Sequence, residues 1–172
     1  KKLLDVQSGI RKLEDPFIEE YDLPVRIGGH LLEDFDGELN KVELRRMSYL
    51  QKMATVVGRR AWQNAGSPEV DTRRLAVSVG TGMGSSEELL FAYDAMRTKG
   101  LRAVSPLVVQ KFMPNGPAAV IGLELGAKAG VTTVISACAS GSEAIATAWR
   151  NIAYGEADMA ICGGVETKIE AV

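Results

Sequence analysis

The sequence contains few of the residues that build metal and disulfide sites. Its 172 residues include one histidine, His30, and two cysteines, Cys138 and Cys162. The two cysteines are too far apart for a CxxC pair, and their spacing matches no zinc-binding pattern. We therefore expect no bound metal and no cofactor, and we expect both thiols to be reduced.

The sequence also lacks long apolar runs and any strong excess of charge. No stretch approaches the roughly 18 apolar residues of a membrane-spanning helix, and the first residues do not resemble a signal peptide. The formal net charge is −2 at pH 7, which does not favour broad electrostatic binding to nucleic acid or to a membrane. With 46% hydrophobic and 24% charged residues, the composition predicts a globular, cytoplasmic protein.

Helical and strand patterns alternate along most of the chain. Apolar residues at three- and four-residue steps predict one long helix from Asn40, its N-cap, to Gly66, with Glu43 in the first turn. Uniformly apolar strands are predicted at 75–79, 131–136 and 159–162. Such strands, alternating with helices, predict an α/β fold with a mixed or parallel sheet between helical layers.

Further helices are predicted at 85–100, 105–126 and 140–154, the second of them in two pieces. Ser85 with Glu88, and Ser140 with Glu143, have the spacing of capping boxes. The helix that follows Ser140 is rich in alanine and nearly uncharged, so we expect it to be buried.

A glycine-rich loop joins the first of these strands to the next helix. Its sequence, Gly80 to Gly84, alternates glycine with Thr81 and Met83. The dinucleotide fingerprint G-x-G-x-x-G is not met, because residue 85 is serine, and the lysine of a phosphate-binding loop is absent. We interpret these glycines as places where the backbone packs closely against a neighbouring element.

Cys138 lies in a run of small residues, 136–142, between a predicted strand and a predicted helix. A nucleophile elbow has this strand–turn–helix organisation. The helix N-terminus carries unpaired N–H groups and a partial positive charge, which stabilise a thiolate. The residues alone leave two interpretations open, a nucleophile and a buried structural thiol. Cys162, inside an apolar strand, is expected to be structural.

Several motifs together resemble the condensing enzymes of fatty-acid synthesis, the β-ketoacyl-acyl-carrier-protein synthases of the thiolase superfamily. The resemblance extends over the whole chain and rests, in order, on Val79–Gly84, Ser105 with Pro106, Met113–Gly116, Val134–Ile145 and Cys162–Glu166. Three further segments, Gln7–Arg11, Leu44–Met47 and Ala65–Asp71, are most similar to the long-chain synthases that extend mycolic-acid precursors.

The resemblance implies a thiolase-like fold, of which residues 1–172 form the N-terminal half. The chain lacks an initiator methionine and stops directly after a predicted strand, so we expect a segment that is incomplete at both ends and lacks the opening strand of that half. The two histidines and the lysine of the family's catalytic set lie in the other half. We therefore expect the isolated segment to be inactive.

The resemblance also implies roles for particular residues. Cys138 is expected to take up the acyl chain, and Met83 and Val108 are expected to line or approach the acyl pocket, with plain core packing as the alternative for both. Lys41, Arg45 and Arg46 match basic positions that dock acyl-carrier protein, although a solvated helix face explains them as well. The family forms homodimers through the strand before the cysteine, here 131–135.

Two other functions share much of this pattern. A thiolase has the same fold and the same wording around its cysteine, but acts on coenzyme A thioesters. A non-catalytic partner of an active synthase, like the chain-length factors, has the fold but replaces the nucleophile. The motif at 113–116 and the late position of Cys138 favour the synthase over a thiolase, and the presence of Cys138 argues against a non-catalytic partner.

Overall fold

The computed structural model describes residues 4–32 and 35–169, and the chain divides into two compact units. In the first unit, within 4–32 and 168–169, the elements are β1 (Ile10–Lys12), α1 (Pro16–Glu20) and β2 (Ile27–Gly29). β1 and β2 pair antiparallel, with Ile10 opposite Gly29. Leu13 and Ile18 are buried in this unit.

The second unit, 35–167, is built on three parallel strands in the order β4-β3-β5. Its strands are β3 (Leu75–Gly80), β4 (Val131–Thr132) and β5 (Met159–Gly164). Its helices are α2 (Lys41–Arg46), α3 (Tyr49–Asn64), α4 (Ser86–Lys99), α5 (Val108–Phe112), α6 (Gly116–Leu125) and α7 (Ser140–Ala153), with short 3-10 turns at Asp36–Glu38, Thr72–Arg74 and Leu101–Ala103.

The central strand β3 is buried along its whole length. Val77 and Val79 pack with Ala54 of α3 and with Ala118 and Ile121 of α6. Because side chains alternate along a strand, Ala76, Ser78 and Gly80 face the opposite side of the sheet, where α7 contacts both β3 and β5. The sheet therefore lies between helical layers, as the strand and helix patterns predict.

The helix expected from Asn40 to Gly66 is two helices. Asn40 caps α2 through the N–H groups of Val42 and Glu43, and the Glu43 carboxylate accepts from the N–H of Asn40, so the predicted cap is confirmed. Met47 then adopts an extended conformation, and Ser48 caps α3 in a second capping box with Gln51. The spacing of apolar residues continues across this break, so the sequence pattern gives no sign that the helix is interrupted.

Both other expected capping boxes are wrong. The Ser85 hydroxyl is buried and donates to the Ser48 Oγ at 2.8 Å, while the Glu88 carboxylate pairs with Lys111 at 3.3 Å. Ser140 is the first residue of α7 rather than its cap. Ser85 thus makes a tertiary hydrogen bond in place of the local one, whereas the Ser140 hydroxyl bonds to the turn that precedes α7.

Strand β4 and helix α7 also differ from expectation. β4 pairs with β3 only through residues 131 and 132, after which a single backbone bond, from the N–H of Thr81 to the carbonyl of Val134, continues the contact. Helix α7 is not buried all round. Its small residues, such as Ala144 and Ala148, pack on the sheet, whereas Trp149 is 67% exposed on the other side.

Across the described residues, no helix has both the length and the apolar character that crossing a membrane requires.

Candidate active site

The carboxyl ends of β3 and β5 meet the N-terminus of α7 at one edge of the sheet. A groove of about 700 Å³ opens there, lined by the glycine loop after β3, by the turn before α7 and by the residues that follow β5. Ligand sites of parallel sheets form at this edge, because the loops after the strands converge there. Cys138, Met83 and Glu166 all line the groove.

A sharp turn presents Cys138 to the groove. Ala137 has a φ of +49°, a left-handed conformation that is uncommon for a residue with a side chain. The N–H of Ala139 donates to the carbonyl of Ser136 at 3.0 Å, and helix α7 begins at Ser140. Cys138 is exposed and lies two residues before the helix, so the turn and the helix of the predicted elbow are present, whereas strand β4 ends at Thr132. Its role as a nucleophile stays a prediction.

The buried hydroxyl of Ser140 holds this turn together. It accepts the N–H of Ser136 at 2.8 Å and donates to the carbonyl of Ala137 at 2.7 Å, and it lies 3.1 Å from the carbonyl of Thr81. The elbow is thereby tied to the loop that follows β3. Ser136 also donates its own hydroxyl to the Glu143 carboxylate.

The glycines of the loop after β3 allow close backbone packing, as predicted. A Cβ added to Gly80 would lie 2.4 Å from the carbonyl oxygen of Ser140, so no other residue fits without moving α7. Gly84 has a φ of +70°, the left-handed region that favours glycine. Met83, between these positions, is 70% exposed and lines the groove, so core packing does not explain it.

Glu166 is a residue of the groove that the sequence interpretation did not single out. Its carboxylate accepts the N–H of Gly82 at 2.7 Å and the hydroxyl of Thr81 at 3.1 Å. It thereby joins the end of β5 to the glycine loop. The only signal in the sequence was an acidic residue two positions after Gly164. An acidic residue at the end of a strand is normally solvated, so this position did not indicate a role in the groove.

Val108 and Cys162 are placed differently. Val108 begins α5, is half-buried and is not among the described residues that line this groove. Cys162 lies on β5 opposite Ser78, as expected for a strand residue, but it is exposed rather than buried. Desolvation by the surrounding protein raises the pKa of the Cys162 thiol above its usual value, which disfavours the thiolate.

A basic surface lies on α2, away from the elbow in sequence. Lys41, Arg45 and Arg46 are all exposed, and none of them forms an ion pair with another residue of the described ranges. Arg46 lines a shallow groove of about 500 Å³ together with the exposed apolar residues Val42 and Leu123. Within residues 4–32 and 35–169, no group of three or more histidine, cysteine, aspartate and glutamate side chains is placed to hold a metal ion.

Comparison with known proteins adds to this geometry. A family model described as the N-terminal domain of beta-ketoacyl synthase matches residues 1–172. The chain belongs to the β-ketoacyl synthase family. Both the glycine loop after β3 and the elbow before α7 thus lie within the matched region.

Curated proteins similar to this chain carry names that agree with the family assignment. It is 73% identical, over its whole length, to the 3-oxoacyl-[acyl-carrier-protein] synthase 2 of Mycobacterium leprae, and it covers 41% of that protein. It is 32% identical over 165 residues to the synthase of the same name from Staphylococcus aureus, of which it covers 40%. The chain therefore spans about two fifths of the length of these relatives.

Solved structures show the same fold. A ketosynthase/chain length factor for ishigamide aligns with a TM-score of 0.75 at 25% identity, over 91% of this chain and 40% of that one. A β-ketoacyl synthase from Burkholderia phymatum aligns with a TM-score of 0.69 at 25% identity, over 87% of this chain and 37% of that one. The thiolase-like fold expected from the sequence is confirmed.

Proposed function

We propose that this chain supplies the N-terminal half of a β-ketoacyl-acyl-carrier-protein synthase in which Cys138 takes up the growing acyl chain. The observation that carries the proposal is the exposed thiol of Cys138 in a groove, two residues before the N-terminus of α7. The groove beside the Cys138 sulfur leaves space for a thioester. Cys162 has a raised pKa and lies on a strand, which suits it less.

The first step would transfer the acyl group to the enzyme. The Cys138 thiolate attacks the carbonyl carbon of an acyl thioester on acyl-carrier protein, and a new carbon–sulfur bond forms to Cys138. The bond to the carrier's sulfur breaks, and that sulfur leaves as a thiolate and takes a proton. The chain is then held as an acyl-enzyme, and the free carrier departs.

The second step would lengthen the chain. Malonyl-acyl-carrier protein loses its carboxylate as carbon dioxide, and the electron pair of that bond forms an enolate. The enolate carbon attacks the acyl carbon on Cys138, whose sulfur leaves as a thiolate. The product is a β-ketoacyl chain two carbons longer on the second carrier. The histidines and lysine that assist this step in the family belong to its other half, so the isolated chain is not expected to condense.

We also propose a substrate, a pathway, a cellular compartment and an oligomeric state, which family membership alone does not specify. Relatives at 72 and 73% identity come from mycobacteria, which supports a long acyl chain and a role in mycolic-acid precursor synthesis. Met83 is positioned in the groove to contact that chain. We assign the reaction to the cytoplasm and the full-length enzyme to a homodimer, with the edge strand β4 at the twofold axis and Val108 reaching the partner's pocket.

Acyl-carrier protein is the proposed partner, and α2 is its proposed docking surface. The three exposed cations Lys41, Arg45 and Arg46 offer an unneutralised positive surface for an acidic protein. Arg59 and Arg60, on the neighbouring helix, pair instead with glutamates of this chain. Apolar Val42 and Leu123 beside Arg46 would supply the uncharged part of such an interface.

The test is acylation of a hybrid synthase, in which this chain replaces the matching segment of the Mycobacterium leprae relative. The hybrid is mixed briefly with long-chain acyl-carrier protein and digested with trypsin. Cleavage after Lys128, Arg150 and Lys168 leaves Cys138 and Cys162 on separate peptides. We expect the acyl mass on the Cys138 peptide alone.

Two variants complete the test. Cys138→Ser should abolish the acyl mass, whereas Cys162→Ser should retain it. An acyl group on Cys162, or none on a folded hybrid whose parent enzyme is acylated under the same conditions, would contradict the proposal. A non-catalytic partner would then be the better account.

A further inference from the structure

We propose that Glu166 is a positioning residue that fixes the loop at 82–84 and thereby sets the acyl-chain selectivity of the groove. The inference rests on the proposed function for its substrate but not for its geometry. The Glu166 carboxylate receives the N–H of Gly82 on Oε2, and the hydroxyl of Thr81 and the N–H of Thr167 on Oε1. The end of β5 and the loop after β3 are held by one side chain.

The bonds hold both neighbours of Met83. Gly82, before it, donates directly to the carboxylate at 2.7 Å. Gly84, after it, donates at 3.2 Å to the Thr81 hydroxyl, whose own hydrogen points to Glu166. Thr81 is buried, so the hydroxyl at the centre of this relay is shielded from water. Met83 itself is mostly exposed, and its position in the groove follows from the backbone on either side rather than from side-chain packing.

The close approach of Gly82 to the Glu166 carboxylate also leaves little room for a side chain at residue 82. A Cβ added to Gly82 would lie 2.7 Å from Oε2 of Glu166. The loop therefore approaches the carboxylate as closely as a backbone without a side chain allows. A side chain at residue 82 would push the Glu166 carboxylate away and break its hydrogen bond to the loop.

The chemistry of the carboxylate explains why glutamate occupies this position. Both of its oxygens accept hydrogen bonds, and charged acceptors bind N–H groups more strongly than neutral ones. An amide of the same shape has one acceptor oxygen and would turn its NH2 group toward one set of donors. A carboxylate occupied in this way is poorly suited to act as a general base, which makes a positioning role the better account.

The first experiment measures hydrogen exchange of single amides by NMR on the 172-residue chain. We expect Glu166→Gln to accelerate exchange at Gly82 by about tenfold or more, from the loss of a charge-assisted bond. Gly84 should follow, while amides of the buried strand β3 stay protected. The control Glu156→Gln removes an exposed carboxylate outside the groove and should leave both glycines unchanged.

Two more variants separate position from charge. Glu166→Asp keeps the charge but shortens the reach, so it should loosen Gly82 as Glu166→Gln does. Thr81→Val should loosen Gly84, and combining it with Glu166→Gln should add little at Gly84, because both act through one relay. If Asp behaves like the native residue, or the two effects at Gly84 simply add, the positioning role is wrong.

The second experiment measures selectivity in the hybrid synthase. Glu166→Gln should change the ratio of kcat/KM for long and short acyl-carrier thioesters by about fivefold or more, chiefly through KM, since Met83 moves but Cys138 does not. A uniform loss on both chain lengths would overturn the inference. If the hybrid with native Glu166 takes up no acyl group on Cys138, the proposed function fails instead, and the exchange result alone decides whether Glu166 positions the loop.

Discussion

Gly164 and Gly141 are in backbone contact: a Cβ placed on Gly164 would lie 2.7 Å from the Cα of Gly141. The end of β5 thus supports the first turn of α7, two residues after Cys138. We predict that Gly164→Ala lowers the free energy of unfolding by about 1–3 kcal/mol, because the atoms it meets are backbone and cannot rotate away. Urea unfolding of the chain measures this.

A matched control is Gly37→Ala. A Cβ on Gly37 meets nothing within 4 Å, so its unfolding free energy should stay within about 0.5 kcal/mol of the native chain. Equal effects of the two substitutions would show that the contact with Gly141 is not the cause. In the hybrid synthase, Gly164→Ala should also slow acylation of Cys138.

Arg59 forms ion pairs with Glu43 and Glu124, and the pair with Glu43 makes the free energy of unfolding depend on pH. Its hydrogen bond to Glu43, at 2.5 Å, lowers the pKa of that carboxyl below its usual 4.5, assisted by the N–H of Asn40 and opposed by burial. The stabilisation is complete above pH 4.5 and is lost as the pH falls through the lower folded-state value. Glu43→Gln keeps the cap on Asn40 but should cost about 1–2 kcal/mol at pH 7.

The pH profile of unfolding provides the check. Stability of Glu43→Gln should fall less steeply than that of the native chain below pH 4.5, because the titrating group is gone. Glu38→Gln removes a carboxylate paired with Arg60 in a more exposed ion pair, which is worth at most about 1 kcal/mol. A parallel loss in both variants would argue against a special contribution from the partly buried bridge between Arg59 and Glu43.

The thiol of Cys162 should react slowly while the chain is folded. Desolvation raises its pKa, so less thiolate is present at pH 8 than in an unfolded chain. We expect iodoacetamide to alkylate the Cys162 peptide severalfold faster in urea than in buffer, with the difference shrinking above pH 10. Mass spectrometry of the tryptic peptide follows the rate; equal rates in both solvents would contradict the assignment.

Charge reversal on α2 tests the docking surface. In the hybrid synthase, replacing Arg45 and Arg46 with glutamate should raise KM for carrier-bound substrate by about fivefold to tenfold, since each tenfold corresponds to about 1.4 kcal/mol. KM for an acyl-coenzyme A substrate should change little. The matched control, Lys99→Glu with Arg102→Glu, reverses two exposed cations outside α2. Equal changes for both substrates would exclude docking at this helix.

Much of the fold follows from local signals. The mostly apolar strand β3, the small-residue elbow at Cys138 and the close packing at Gly80 each result from properties that a short stretch of sequence contains. The break between α2 and α3 does not, because Met47 continues the apolar period while its backbone turns extended. Ser85 likewise satisfies a local pattern but bonds to Ser48, which no spacing indicates.

Glu166 illustrates the remaining limit. Its role depends on the pairing of β5 beside β3, which brings it to Thr81 and Gly82 from a distant part of the chain. One sequence by itself does not indicate which strands pair, so it does not bring Glu166 to the glycine loop. Helix α7 shows a different limit: its many alanines and few charged residues predict burial on all sides, whereas described residues cover only one side of it.

The contact between Gly80 and Ser140 also has an evolutionary consequence. Every single-base change in a glycine codon that alters the amino acid adds a side chain, and at Gly80 that side chain would begin 2.4 Å from the Ser140 carbonyl oxygen. No single substitution at Gly80 is therefore expected to be tolerated unless α7 has already shifted. The end of β3 and the start of α7 can therefore change only together. In a saturation mutagenesis library, nearly every variant at Gly80 should be depleted.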